Sequence, residues 1–373
     1  MSNLRLRADL AGIPDYKPGK TASPSSGPGP FKLSSNENPY APLPSVLAAI
    51  AIQAESVNRY PETAARELVT GLCERYGVKA ANVVLGSGSS EVISQIIRAT
   101  AGHGDEVVFP WRSFEAYPLL TVAAGAVPVR VPLNERHEHD FDAMAAAITE
   151  RTRLIIVCNP NNPTGTTVGR AELDAFLERV PSDVTVLIDE AYAHFNRRPD
   201  TVQGIDVFRR RPNVALAHTF SKAYGLAGLR VGYAIAPAAL AAAQRKVALP
   251  FAVTSLAQAA AVASLRAEAE LAERVDALVA ERDRVTKALV DQAWALAETQ
   301  ANFVWFPLGA DALAGAELFE EQSLLVRPFA GEGIRVTVAE TAANDRVVAA
   351  AAALVAAGLT GGLVTENRVS NAS

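Results

Sequence analysis

A chain of 373 residues with 49% hydrophobic and 20% charged side chains is long enough for about two domains, each with a buried core. Its net charge of −5, with no concentrated basic face, excludes nucleic acid as the main partner. Cys73 and Cys158 are too few and too far apart in sequence for a disulfide framework or a thiolate metal site, so reduced thiols in a cytoplasmic protein are expected.

Charges interrupt the apolar residues of the first nine positions, which do not read as a signal peptide. Residues 1–30 form an arm that ends in a Ser/Pro/Gly-rich stretch and cannot pack a core alone. A helix near residues 45–56 follows. From residue 64 helices alternate with short strands rich in Val, Ile and Leu: 83–85, 106–109, 127–131, 154–157, 184–188, 214–217 and 231–235. Near-continuous apolar strands are what a sheet covered on both faces requires. The pattern predicts an α/β fold with a large doubly wound, mainly parallel sheet. Beyond residue 255 the rhythm changes to one long helical stretch, 255–297, then strands at 302–306, 324–326 and 334–338. This predicts a smaller α+β domain, with the chain divided as arm 1–40, large domain 41–265 and small domain 266–373. The apolar run 347–364 is mostly alanine with three glycines, too weak for a membrane span. It reads as a surface helix over 342–357, with Thr341 as N-cap and Gly358 as its stop.

In a parallel sheet, ligands collect at the carboxyl ends of strands. Four such ends carry polar residues. After 83–85 comes Gly86-Ser87-Gly88-Ser89-Ser90-Glu91 at a helix start, which suits a phosphate or is a plain capped turn. After 154–157 comes Asn159-Pro160-Asn161-Asn162-Pro163, a tight turn or a placement for Asn162 as a donor. Asp189 ends a buried strand, where a carboxylate is costly unless it has a partner, and Tyr192 lies three residues on. After 214–217, Ser221, Lys222 and Arg230 combine an amine with a cation able to hold a phosphate.

These segments, with Asn36-Glu37-Asn38-Pro39-Tyr40, Arg59-Tyr60-Pro61-Glu62 and Ile334-Arg335-Val336-Thr337-Val338, resemble the fold type I pyridoxal phosphate-dependent aminotransferases over nearly the whole chain. The match is closest to the histidinol-phosphate and aromatic (phenylalanine) aminotransferase branch. The resemblance implies pyridoxal 5'-phosphate as cofactor, with Lys222 joined to its aldehyde and moving the proton at the substrate α-carbon. It implies Asp189 at the pyridine nitrogen, Asn162 and Tyr192 at the phenolic oxygen, and Phe114 stacked on the ring. Ser89, Ser90, Ser221 and Arg230 would hold the phosphate, and Tyr60 would reach the phosphate of a neighbouring subunit in a homodimer. Arg335 would take the substrate carboxylate, Arg327 would assist or meet a side chain, and Tyr16 of the arm would close over the substrate.

The expected reaction passes the amino group of an aromatic amino acid to 2-oxoglutarate. Trp111, Phe114 and Tyr117 favour an aromatic ring. Histidinol phosphate is the alternative substrate, for which Arg112 or Arg327 would supply the extra charge. A non-catalytic binding protein on the same fold is the alternative from another class. A racemase or decarboxylase on this scaffold stays open too. His137-Glu138-His139 lacks further ligands and reads as a solvated loop, not a metal site. His194 and His218 lie near the proposed site without a nucleophile motif, which makes them structural or supporting groups. Arg209-Arg210-Arg211 reads as a solvated helix end.

Overall fold

The computed structural model describes residues 7–13, 15 and 30–359. Strand β1 (Phe31–Lys32) and helices α1 (Pro44–Ala54) and α2 (Arg66–Tyr76) lead into the alternating part. There follow β2 (Val83–Gly86), α3 (Ser89–Thr100), β3 (Glu106–Trp111), α4 (Ala116–Ala123), β4 (Val127–Pro132) and α5 (Phe141–Ala146). Next come β5 (Thr152–Cys158), α6 (Arg170–Leu177), β6 (Thr185–Asp189), α7 (Gly204–Arg210), β7 (Val214–Thr219) and β8 (Gly232–Ile235). Helices α8 (Ala238–Val247), α9 (Ser255–Arg266) and α10 (Glu268–Asp291) precede β9 (Phe303–Phe306) and α11 (Ala312–Glu321). Strands β10 (Leu324–Leu325), β11 (Arg327–Phe329) and β12 (Gly333–Thr337), then α12 (Thr341–Ala356), complete the described chain.

Seven strands make one sheet in the order β2-β8-β7-β6-β5-β3-β4, parallel except for β8, which runs against both its neighbours. The apolar runs are split by the two-residue period of a strand. Ile155, Val157, Val186, Ile188, Val214 and Leu216 enter the core on one face, and Leu154, Ile156, Leu187, Ala215 and Ala217 the core on the other. Each fully buried Val, Leu or Ile contributes about 1.5–3 kcal/mol relative to exposure, and alternation shares that gain between both helical layers. The expected doubly wound, mainly parallel sheet is therefore present.

A second core lies under the antiparallel sheet β11-β12-β9, covered by α11 and α12. The segment after the arm joins it: β1 pairs with β10, and Leu33 is buried there. Helix α10 serves both cores, with Leu271, Val275 and Leu278 in the large one and Val285 and Leu289 in the small one.

Several local expectations need correction. The helical stretch 255–297 is two helices that meet at Ala267, and residues beyond Asp291 leave the helix. Helix α8 was not anticipated. In α12 the N-cap is Glu340 instead of Thr341, while Gly358, at φ 76°, ends the helix as expected. Its C-terminus closes with Leu359 N–H donating to Leu354 O and Gly358 N–H to Val355 O, the Schellman pattern that favours glycine. One side of α12 is buried through Ala343, Val347, Ala350, Ala351 and Leu354, so it is only partly a surface helix. His139 is not solvated; it is buried and stacked on Phe141 with ring centroids 5.8 Å apart. The three arginines at the end of α7 do lie at a solvated helix end, where Arg210 pairs with Asp174 and Arg211 with Glu178. Among the described residues no helix is long and apolar enough to cross a membrane, and no His/Cys/Asp/Glu cluster could hold a metal.

Candidate active site

The carboxyl ends of β2, β5, β6 and β7 open on one edge of the large sheet, and the segment after β1 and strands β11 and β12 close over it. Between them lies a cavity of about 230 Å³. Its wall includes Ser89 and Ser90, Phe114, Asn162, Asp189, Tyr192, Ser221, Lys222, Arg230, Arg327 and Arg335. Eleven of the residues singled out from sequence thus converge on one space.

Lys222 is half-buried in this wall, and its Nζ donates to Ser35 O at 2.9 Å. Burial, with the nearby Arg335 charge adding to it, lowers the amine to about 7. A lysine at that value is about half neutral near pH 7, so a large share of it is nucleophilic and basic. Asp189 is buried at the end of β6. Its Oδ2 accepts from Tyr117 Oη at 2.6 Å and its Oδ1 from Ala191 N–H at 3.2 Å. Burial raises the carboxyl above its ordinary value, and those two donors pull it back. A cationic partner in the cavity would complete its coordination.

An anion cradle lies beside the amine. Helix α3 begins at Ser89, so its first N–H groups and dipole face the cavity edge. Arg230 sits at φ 55°, a left-handed conformation unusual for a non-glycine residue. It is held there by bonds from Nη1 to Ser221 Oγ (3.3 Å) and Ala227 O (3.0 Å). Two glycines allow the close approach. A Cβ on Gly88 would lie 2.3 Å from Arg230 Nη2, and one on Gly232 would lie 2.5 Å from Ser89 N.

The remaining polar groups interlock. Arg335, buried on β12, donates to Asn162 Oδ1 at 2.5 Å and to Ser34 O at 2.6 Å. With its oxygen engaged, Asn162 retains an amide N–H₂ as donor. Tyr192 Oη accepts from Asn36 Nδ2 at 2.9 Å, and its ring stands edge-on to Phe303. Burial raises the Tyr192 phenol, which keeps it a neutral donor. Behind Asp189, Glu190 is buried beside His218 Nε2 at 3.2 Å and accepts from Gly204 N–H at 3.0 Å. Burial lifts Glu190 to about 7 and depresses His218 to about 3.

Five expected residues are placed differently. Tyr16 lies outside the described residues. Tyr60 is outside the cavity of its own chain; it is 82% exposed and stacked on Phe251 at 4.5 Å. Tyr117 does not face a substrate: it is fully buried on α4 beneath Asp189, because its position belongs to the inward stripe of that helix. Trp111 lies at the end of β3 outside the cavity wall, with the Arg112 and Arg130 guanidinium carbons 4.2 and 5.0 Å from its ring centre. Arg112 also misses the cavity and is paired with Glu332. Arg327 does line it, paired with Glu115 at 2.7 Å. Missed from sequence were Tyr117 as the partner of Asp189, Asn36 as the partner of Tyr192, and Glu115. An Asn-Glu-Asn-Pro run after a short strand was the available signal for Asn36.

A depressed lysine, a buried carboxylate and an arginine beside a glycine-flanked helix start share one α/β cavity, an arrangement able to hold a phosphorylated carbonyl compound. Pyridoxal phosphate fits these residues: the amine suits its aldehyde, the carboxylate its ring nitrogen and the cradle its phosphate. The chain belongs to the class I and II aminotransferases, whose family model matches residues 28–352. It is 59% identical to an aromatic amino acid aminotransferase of Streptomyces avermitilis, over 91% of this chain and 95% of that one. A Rhodococcus jostii protein of the same name is 52% identical, over 92% and 94%. Among solved structures, histidinol-phosphate aminotransferase from Sinorhizobium meliloti in complex with pyridoxal-5'-phosphate is similar with a TM-score of 0.81 at 29% identity. That match covers 87% of this chain and 91% of the other.

Proposed function

We propose that this aminotransferase uses pyridoxal phosphate to move the amino group of phenylalanine, tyrosine or tryptophan to 2-oxoglutarate, giving the aromatic 2-oxo acid and glutamate. The observation that carries the chemistry is the neutral-range Lys222 amine beside Asp189 and the Arg230 cradle. When bound, the cofactor supplies the aldehyde and an electron-withdrawing ring. Lys222 would hold that aldehyde through its amine and would move the proton at the substrate α-carbon. Asp189 keeps the ring nitrogen protonated, helped by the Tyr117 hydroxyl, and each unit of pKa it enforces corresponds to about 1.4 kcal/mol. Asn162 and Tyr192 would donate to the ring oxygen. Ser89, Ser90, Ser221 and Arg230 hold the phosphate, and Arg335 binds the substrate carboxylate with its planar fork.

Aromatic side chains are favoured over histidinol phosphate by the cations around the cavity. Arg112 and Arg327 each already face a carboxylate, Glu332 and Glu115, so neither is poised for a second phosphate. The relatives named for aromatic substrates support the same choice. A homodimer accords with the exposed Tyr60–Phe251 stack and the exposed Ile52, Val57 and Leu249, with Tyr60 reaching the partner's phosphate cradle. A cytoplasmic location accords with the free thiols of Cys73 and Cys158.

The test is a half-reaction panel with purified holoenzyme, offering phenylalanine, tyrosine, tryptophan, histidinol phosphate, aspartate and alanine separately. The aromatic acids should convert the cofactor to its amine form fastest. Histidinol phosphate outpacing them by a large factor in kcat/KM would overturn the substrate assignment.

A further inference from the structure

The cavity holds two arginines in unlike settings. Arg327 on β11 and Arg335 on β12 are direct cross-strand partners, and both line the cavity. Like charges at such a pair repel. Arg335 is accommodated by neutral oxygens, Asn162 Oδ1 and Ser34 O. Arg327 meets a fixed anion: its Nε and Nη2 donate to Glu115 Oε2 at 3.2 and 2.7 Å. Glu115 follows Phe114 directly at the start of α4, and both side chains belong to the cavity wall. The Arg327 and Glu115 side chains are 12% and 29% exposed, so the pair is only partly screened by solvent.

We infer that Glu115 is a specificity-determining residue, which masks Arg327 so that the cavity accepts an uncharged ring, and yields Arg327 when a second substrate carboxylate enters. The inference rests on the proposed transamination between an aromatic amino acid and 2-oxoglutarate, because only such a pair obliges one cavity to take both kinds of side chain. An aromatic ring laid beside an unmasked guanidinium would desolvate a charge without an anionic partner. With Glu115 present, that charge is already matched. A dicarboxylate brings its own anion, which competes with Glu115 for the same guanidinium, while Arg335 keeps the carboxylate common to both substrates. Arg327 thus meets an anion in either complex, and the strength of the Glu115 bond sets the balance between the two substrates. Glu115 acts through Arg327 and is a positioning residue.

The experiment measures binding of two unreactive acids to holoenzyme by calorimetry: 3-phenylpropanoate, which carries the ring, and glutarate, which carries the second carboxylate. Glu115→Gln keeps size and hydrogen bonding but removes the charge. It should tighten glutarate by about tenfold and weaken 3-phenylpropanoate by several-fold, the scale of coupling between contacting groups. Arg327→Met alone should weaken glutarate more than 3-phenylpropanoate, and added to Glu115→Gln it should abolish the gain in glutarate. Parallel losses for both acids in Glu115→Gln, or no change in their ratio, would overturn the inference. Thermal melting of each variant identifies misfolding, and if Glu115→Gln unfolds, the Arg327→Met ratio alone decides, since equal effects on both acids then count against the inference. Failure of the wild type to transaminate phenylalanine would instead sink the proposed function, an outcome read separately from the variant ratios.

Discussion

Replacing Tyr117 with phenylalanine isolates how the fold sets up Asp189. The substitution deletes one hydroxyl, which donates to Asp189 Oδ2 at 2.6 Å in a fully buried setting. The ring keeps its neighbours, with Phe109 and Phe114 centroids 5.8 and 5.5 Å away. A hydrogen bond to a charged group contributes about 1.5–3 kcal/mol, so the carboxylate's grip on a protonated ring nitrogen should weaken roughly 10- to 100-fold. The assay titrates apoprotein with pyridoxal phosphate and follows the visible band, alongside kcat for the half-reaction. A second readout is pH. The Asp189 carboxyl lies above its unfolded value, so the native state binds more protons and stability falls as pH rises through that window. Loss of the Tyr117 donor extends the window upward, and denaturant unfolding of the apo variant should show a steeper fall toward neutral pH. Unchanged cofactor affinity together with an unchanged stability profile would refute the reasoning.

Three further outcomes are expected. Gly232→Ala places a Cβ 2.5 Å from Ser89 N and 2.7 Å from Gly88 C, both backbone atoms; it should cost about 1–3 kcal/mol, read by denaturant unfolding, with weakened binding of inorganic phosphate to the apoprotein. Lys222 is lowered from 10.5 to about 7, so the unfolded chain binds the extra proton between those values and apoprotein stability should rise with pH across that window. Lys222→Met should flatten that rise in pH-dependent unfolding, and a slope equal to the wild type would remove the assignment. Ile156→Ala, within the interior strand β5 and fully buried, should destabilise by about 2–5 kcal/mol with little change in the cavity, seen as a lowered Tm with cofactor stoichiometry retained.

The sheet was legible because a strand covered on both faces must be apolar at every position, and runs such as Leu154-Ile155-Ile156-Val157 have few other uses. The site was legible where a polar residue breaks such a run, as at Asn162, Asp189 and Lys222. Tyr117 reads from sequence as one of three aromatic residues facing a substrate ring, yet it is core; only the register of α4 under β6 brings its hydroxyl to Asp189. Glu115 and Arg327 are 212 positions apart, and no local pattern couples them. The break at Ala267 was hidden by alanine-rich sequence with uniform helical propensity on both sides, so packing between α9 and α10 decides it. His139 looked solvated amid charged neighbours, yet burial has lowered it to about 4, which keeps its ring neutral against Phe141.

The central claim is that Lys222 holds the cofactor and releases it to an aromatic amino acid. Its most direct measurement is borohydride trapping followed by peptide mass spectrometry, before and after one equivalent of phenylalanine. Cofactor mass is expected on the Lys222 peptide beforehand, with its loss after phenylalanine and about one phenylpyruvate released per subunit, the stoichiometry of a half-reaction on one lysine. Cofactor mass on another lysine, or a Lys222 adduct that phenylalanine does not displace, would contradict it.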